Sequence, residues 1–240
     1  MEKSVVIVGG TGGIGWETAL KFLSKHYTVH IIDISPPNKV QQMEIDSLSL
    51  YFYQCDIRKY DEVKRAFKEI SQKTCSKISV LVISAAIQKN ESWENFSIVD
   101  SEKILYTNLF GTLYCLFEGT KYIEIGGSVV NVSSIHGKVP RTGRYSYDMA
   151  KAGIEILLKE LAIEYGPKGI RINNIEPGCI DTPMNKSNDI FSSDVLSKIP
   201  LGYIGSTSEV AELIYFLSSK ASSYINGASV TIDGGRSLMK

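Results

Sequence analysis

Several features are scarce in this chain. Its four cysteines, Cys55, Cys75, Cys115 and Cys179, are scattered through 240 residues with no Cys-x-x-Cys pair and no Cys/His cluster. That spacing excludes a disulfide framework and a thiolate metal centre, so no metal is expected and the setting reads as reducing and cytoplasmic. Charge of one sign is also missing: 26 Lys and Arg balance 26 Asp and Glu, without basic runs. Such a balance argues against nucleic acid as a partner. No stretch approaches the ~20 apolar residues of a membrane span, so no membrane is expected. The apolar run near the start, SVVIV, is too short for a signal peptide. Repeats and low-complexity linkers are absent as well. What remains is 43% apolar and 22% charged, the composition of one globular domain, 1–240, with a large core.

Against that background one stretch carries chemistry: Asn131 to Lys151, NVSSIHGKVPRTGRYSYDMAK. The run SVVNVS reads as a buried strand ending in Ser133 and Ser134, and the residues from Tyr145 to Tyr165 as a helix. Tyr147 and Lys151 are four residues apart and so share a helix face. A tyrosine titrates near ~10, and a cation one turn away is expected to lower that value. A tuned phenol can act as general acid or base on an alcohol or carbonyl oxygen, with Ser134 holding the same oxygen. No side chain accepts a hydride, so this chemistry calls for a cofactor.

The start of the chain supplies a place for one. Ser4–Val8 reads as a buried strand, followed by Gly9-Gly10-Thr11-Gly12-Gly13-Ile14-Gly15 and then a helix pattern. Glycines there allow a tight turn and close approach to a pyrophosphate, which the helix N-terminus attracts. The strand TVHIIDI ends in Asp33, eighteen residues after Gly15. An acid at that distance accepts from ribose hydroxyls and repels a 2′-phosphate, which points to NAD. Asp56 closes the next strand, and either reaches the adenine or caps the helix that follows. Strands are expected also at 79–85, 126–133, 169–175 and 229–233. A turn and then a short helix are expected from Ser35, a polar loop spans 88–100, and a long helix is expected over 100–123. Residues 178–205 lack periodicity and are expected to form a lid. Ser206 to Glu209 reads as a capping box. Strands alternating with helices give a doubly wound α/β fold, with ligands at the carboxyl ends of the strands.

These residues together resemble the short-chain dehydrogenases/reductases, from VGGTGGIG through NVSS, Tyr147-x-x-x-Lys151 and INNIEPGCIDT to IDGG. The resemblance implies a Rossmann-like three-layer sandwich around a single seven-stranded parallel sheet. It implies Asn108, Ser134, Tyr147 and Lys151 as the catalytic four, with Asn108 anchoring a water in a proton relay. It further implies cofactor contacts from Gly9, Thr11, Gly12, Gly13, Ile14, Gly15, Asp33, Asp56, Ile57, Ser84, Ala85, Tyr147, Lys151, Pro177, Gly178, Ile180 and Thr182. A homotetramer or homodimer, paired through the helices at 100–123 and 147–165, follows from the same source. One departure is plain. The family's Asn-Asn-Ala-Gly after the fourth strand is Ile83-Ser84-Ala85-Ala86 here.

Gln88, His136 and Arg144 fall where 3-hydroxybutyrate dehydrogenases of this family surround the substrate carboxylate, although SSxHG also resembles glucose dehydrogenases. The expectation is an NAD-dependent oxidoreductase interconverting a secondary alcohol and a carbonyl on a small molecule, with a hydroxy acid as one substrate class. The alternatives are an NADPH-dependent ketoacyl-type reductase and a non-catalytic dinucleotide sensor.

Overall fold

Aliphatic, β-branched runs with no polar face can only be satisfied when covered on both sides. Ser4–Val8 (β1) and Ile78–Ile83 (β4) are such runs, and every residue of both is buried. Around them stand Thr28–Asp33 (β2), Leu50–Gln54 (β3), Ile123–Val132 (β5), Arg171–Pro177 (β6) and Ser229–Ile232 (β7). The computed structural model describes residues 3–39, 41–42, 49–75, 77–186 and 191–239. All seven strands pair in parallel, in the order β3-β2-β1-β4-β5-β6-β7.

Successive strand residues face opposite sides of the sheet, so two apolar layers form. Val6, Val8, Leu81 and Ile83 pack on one face with Phe67 of α2 (Tyr60–Lys73), Leu116 of α4 (Thr112–Gly119) and Ile154 of α5 (Tyr145–Tyr165). Val5, Ile7, Val80 and Val82 pack on the other with Phe22 of α1 (Gly13–Leu23) and Ile214 of α8 (Thr207–Ser218). The expected three-layer, doubly wound architecture is therefore present. The connection from β1 runs outward to β2 and that from neighbouring β4 runs the other way to β5, so a crevice opens at the carboxyl ends of β1 and β4. Among the described residues no helix is long and apolar enough to cross a membrane.

The boundaries expected from periodicity need correction: β6 runs over Arg171–Pro177 rather than 169–175, and β4 over Ile78–Ile83 rather than 79–85. The helix over 100–123 is not continuous. It runs as α3 (Ile98–Leu105), passes through a π-helical turn at Tyr106–Gly111, and continues as α4. Gly111 allows this, because a Cβ there would lie 2.7 Å from the Ile57 side chain. The strand expected at 126–133 starts earlier, at Ile123, which pairs with Ile78 across a register shift. Among the described residues, the stretch expected to form a lid contains two short helices, α6 (Pro183–Lys186) and α7 (Ser193–Ser197); residues 187–190 lie outside the described set. The stretch from Ser35 expected to turn and then form a short helix also falls partly outside it, at 40 and 43–48. The capping box forms as expected, Ser206 and Glu209 each accepting the other's backbone N–H.

Away from the crevice, β2 and β3 bury a histidine. His30 is 1% exposed, stacks on Tyr51 with ring centroids 5.3 Å apart, and shares a hydrogen bond with the Tyr53 hydroxyl at 3.1 Å. Its Nε2 is buried without a partner. Burial, aided by the Lys73 charge, pushes its pKa down from 6.5 to about 4. The fold thus favours neutral His30, whereas the unfolded chain takes up the proton below pH 6.5. Stability should fall as pH drops from 6.5 and stop falling through this group near 4, a loss of about 3 kcal/mol. Urea unfolding at pH 7 and pH 4.5 measures it: His30→Phe should lose markedly less than the parent, and equal acid losses would remove His30 from the account.

Candidate active site

The floor of the crevice is the turn from β1 into α1. Gly9 sits at φ +81, and a Cβ there would lie 2.5 Å from the Ala85 backbone nitrogen. A Cβ on Gly15 would lie 2.1 Å from the Gly9 carbonyl oxygen. These two glycines are demanded by packing. Gly12 is different: it has ordinary extended backbone, and the nearest atom to an added Cβ is 3.4 Å away. Its open side faces the cavity. The α1 N-terminus there carries no side-chain cap and no acidic residue in its first turn, so its amides and positive dipole end suit an anion.

Asp33 flanks this cradle. Its Oδ2 accepts from the Thr11 N–H at 3.1 Å and its Oδ1 from the Ser35 N–H at 3.0 Å. Each oxygen keeps a further acceptor site for a hydroxyl. Asp56 is less free than the sequence suggested. Arg58 grips it in two places, Nε to Oδ1 at 2.9 Å and Nη2 to Oδ2 at 2.6 Å, which holds the Asp56 carboxyl below its usual range. Arg58 lines the same cavity, and its position two residues after Asp56 was the one available signal for it.

The cavity has a volume of about 660 Å³. Every residue expected at the site lines it except Gly15, which packs beneath the turn, and Asn108. Asn108 sits in the π-helical turn and is 1% exposed. Its Oδ1 accepts from the Ile87 N–H at 2.9 Å and its Nδ2 donates to the Ile87 carbonyl at 2.7 Å. It therefore clamps the loop after β4.

At the end of β5 the chain turns through Ile135–Gly137, with the Ser134 Oγ accepting from the His136 N–H at 3.2 Å. The Ser134 hydroxyl stands close enough to the Tyr147 phenol to favour its ionised form. Lys151, one turn along α5, donates to the Val132 carbonyl at 3.0 Å, and its Nζ stands 5.4 Å from the Tyr147 ring centre. The expectation that Lys151 lowers the phenol is corrected. Burial raises the Tyr147 pKa, and the opposing influences are the neighbouring Ser134 hydroxyl and the Arg144 charge. Burial likewise brings Lys151 down to about 8. Both shifts have one cause: a charge far from water is disfavoured.

Opposite the phenol, Arg144 is buried and its Nη1 donates to the Gln88 Oε1 at 2.7 Å. The Gln88 Nε2 donates to the Asn185 Oδ1 at 3.2 Å. His136 shares a hydrogen bond between Nδ1 and the Val139 carbonyl at 2.9 Å. Two ion pairs brace this turn from behind, Lys138 meeting Glu176 at 2.7 Å and Glu155 at 3.4 Å. Asn185, Arg141 and Arg236 also line the cavity; no local pattern in the sequence marked them.

A proton-carrying phenol beside a hydroxyl, at the end of a glycine-floored crevice, is the arrangement of a dinucleotide-dependent oxidoreductase. Residues 9–237 match the family model described as Enoyl-(Acyl carrier protein) reductase. The chain belongs to the short-chain dehydrogenase/reductase family. It is 34% identical over 239 residues to the 3-oxoacyl-(acyl-carrier-protein) reductase FabG of Thermotoga maritima, covering 97% of each chain. It is 32% identical over 243 residues to carbonyl reductase family member 4 of Danio rerio, covering 100% of both. Among solved structures, the ligand-free aldohexose dehydrogenase of Thermoplasma acidophilum superposes with a TM-score of 0.91 at 27% identity, over 100% of this chain and 95% of that one. The short-chain dehydrogenases/reductases are oxidoreductases that bind a nicotinamide dinucleotide. The bare α1 N-terminus and the open face of Gly12 fit such a group.

The glycine geometry separates folding from binding. Gly9→Ala should strain the turn by roughly 1–3 kcal/mol and lower the melting temperature. Gly12→Ala should melt like the parent yet bind dinucleotide at least about tenfold more weakly, because its methyl fills the cradle. Thermal melts with cofactor titration decide; unchanged binding in Gly12→Ala would move the pyrophosphate elsewhere.

Proposed function

We propose that this protein is an NAD-dependent oxidoreductase interconverting a secondary alcohol and a carbonyl, with Tyr147 as general acid and base. The observation that carries the reading is the buried Tyr147 phenol, which lines one cavity with Ser134, Lys151, the glycine turn and Asp33. The bound nicotinamide supplies the hydride acceptor or donor. Tyr147 moves the proton at the substrate oxygen, and Ser134 orients that oxygen by a hydrogen bond. In this reading Lys151 holds the nicotinamide ribose, Asp33 the adenosine ribose, and Thr182 the carboxamide. Asn108, in this proposal, anchors a water as well as clamping Ile87.

The preference for NAD rests on Asp33. Its two anchored oxygens favour ribose hydroxyls and oppose a 2′-phosphate, and Arg58, the nearby cation of the cavity wall, is committed to Asp56. Fluorescence titration should give NAD the lower Kd by several-fold to a thousandfold, about 1–4 kcal/mol. Asp33→Ala should narrow that gap. The competing reading is an NADPH-dependent ketoacyl-type reductase, favoured by the name of the Thermotoga maritima relative; tighter NADP binding by the parent protein would select it. A non-catalytic dinucleotide sensor is disfavoured because it needs no proton donor.

The substrate end favours a small acid. Arg144 and His136 line the cavity beside the Ser134–Tyr147 pair, with Gln88 on the facing loop, and a carboxylate taken from water needs a cationic partner. Copies of the chain are proposed to pair through α3, α4 and α5, where Tyr106, Phe110, Phe117, Met149, Ile156 and Ile163 expose apolar surface. A single domain working in the cytoplasm completes the reading.

Turnover of hydroxy acids, sugars and secondary alcohols with NAD, followed by absorbance, tests the function. Tyr147→Phe should lose roughly 10²–10⁴ in rate while keeping NAD affinity. Because burial raises the phenol, alcohol oxidation by the parent should rise with pH on the alkaline side and carbonyl reduction should fall. Arg144→Met should raise KM for a 3-hydroxy acid at least tenfold, about 1.4 kcal/mol. Near-parent turnover in Tyr147→Phe removes Tyr147 from the mechanism. Equal oxidation of uncharged substrates by parent and Arg144→Met removes the acid.

A further inference from the structure

The cavity wall contains a hydrogen-bond chain that joins three separate segments. Arg144, at the start of α5, donates from Nη1 to the Gln88 Oε1 at 2.7 Å. Gln88, on the loop after β4, donates from Nε2 to the Asn185 Oδ1 at 3.2 Å. Asn185, in α6, donates from Nδ2 to the Ile180 carbonyl at 3.0 Å. The far end is fixed: Ile180 bridges Gly205, and the Asp181 N–H donates to the Gly205 carbonyl at 2.9 Å.

We infer that Asn185 is a positioning residue, which through Gln88 holds the α6 end of the lid and the Arg144 guanidinium as one hydrogen-bonded unit. This deepens the proposed reading of Arg144 as the group that meets an acidic substrate, and it rests on that reading for its role in turnover. The sense of the chain is forced. A backbone carbonyl only accepts and a guanidinium only donates. Two primary amides between them, each with one accepting and one donating end, satisfy both termini in a single direction. Bonds aligned in this way polarise one another. α6 is four residues long, with the Asn185 N–H donating to the Thr182 carbonyl at 3.0 Å, so the side-chain link adds a tie to the loop after β4 that a short helix cannot make through its own backbone. The Arg144 fork keeps other donors for a carboxylate while one is held by Gln88, so an acid can bind without opening the lid.

The forced sense makes near-isosteric substitutions diagnostic. Gln88→Glu offers Arg144 a charged partner but has nothing to donate to Asn185. Asn185→Asp still accepts from Gln88 but cannot donate to Ile180. A Gln88 that served Arg144 alone would tolerate the glutamate with the lid undisturbed. Backbone hydrogen exchange over 180–186 in the free full-length protein tests this without any substrate. Gln88→Glu and Asn185→Asp should each quicken exchange by about fivefold or more; the double variant, made with Asn185→Ala so that two carboxylates do not face each other, should go no further than the singles, because residues of one network are not additive. Asn185→Ala replaces Asn185→Asp if the latter melts below the parent. Unchanged exchange in the single variants, or multiplied effects in the double, overturns the inference. Kinetics separate the two readings. A non-additive exchange cycle with no Arg144 dependence of KM for acids sinks the acid and keeps the chain. Additive exchange with an Arg144-dependent KM does the reverse.

Discussion

The contact between the β1–α1 turn and the end of β4 is the constraint from which the site follows. Gly9 lies against the Ala85 backbone, and Gly15 lies under the Gly9 carbonyl. Neither approach survives a side chain. Their closeness brings the α1 N-terminus to the mouth of the sheet, where β4 and β5 also end. Thr11 is thereby placed to donate to Asp33, so the turn sets the ribose-facing acid as well as the anion-facing amides. The departure at Ser84 is absorbed without disturbing this floor, since its N–H still donates to the Val8 carbonyl at 2.8 Å. Strands farther along are tied by a separate amide ladder from Asn131 to Asn174 to Ser229.

Electrostatics at the other end of the cavity are governed by burial. Tyr147, Lys151 and Arg144 all sit out of water within two turns of one helix, and for each the charged form is penalised. Burial thus favours the neutral phenol and brings the lysine down to about 8. Lys151 spends its hydrogen bond on the Val132 carbonyl, which orients the ammonium without neutralising it.

Much of this was legible in the sequence because it depends on local pattern. The glycine turn, the helix from Tyr145 to Tyr165 and the Ser134, Tyr147, Lys151 grouping are written in short spacings. Illegible features depend on distant partners. Arg58 could have been a solvated charge; its grip on Asp56 exists because that strand end faces a cavity wall. Gln88 and Asn185 are 97 residues apart, and no periodicity joins them. The sign of the Tyr147 shift was misjudged for a related reason. Spacing reveals that a cation is near, whereas burial is a property of the whole fold and here outweighs it.

The π-helical turn at Tyr106–Gly111 has a consequence for how this chain can change. Widening one turn rotates everything beyond it about the helix axis, so Asn108 faces inward to Ile87 while Tyr106 and Phe110 pair outward, ring centres 5.2 Å apart. Deleting one residue here would restore a regular helix with better local hydrogen bonds. It would also turn the amide away from the loop it clamps. Regularity of that helix and order of the loop beside the phenol are thus opposed, and the segment cannot be idealised without giving up the other.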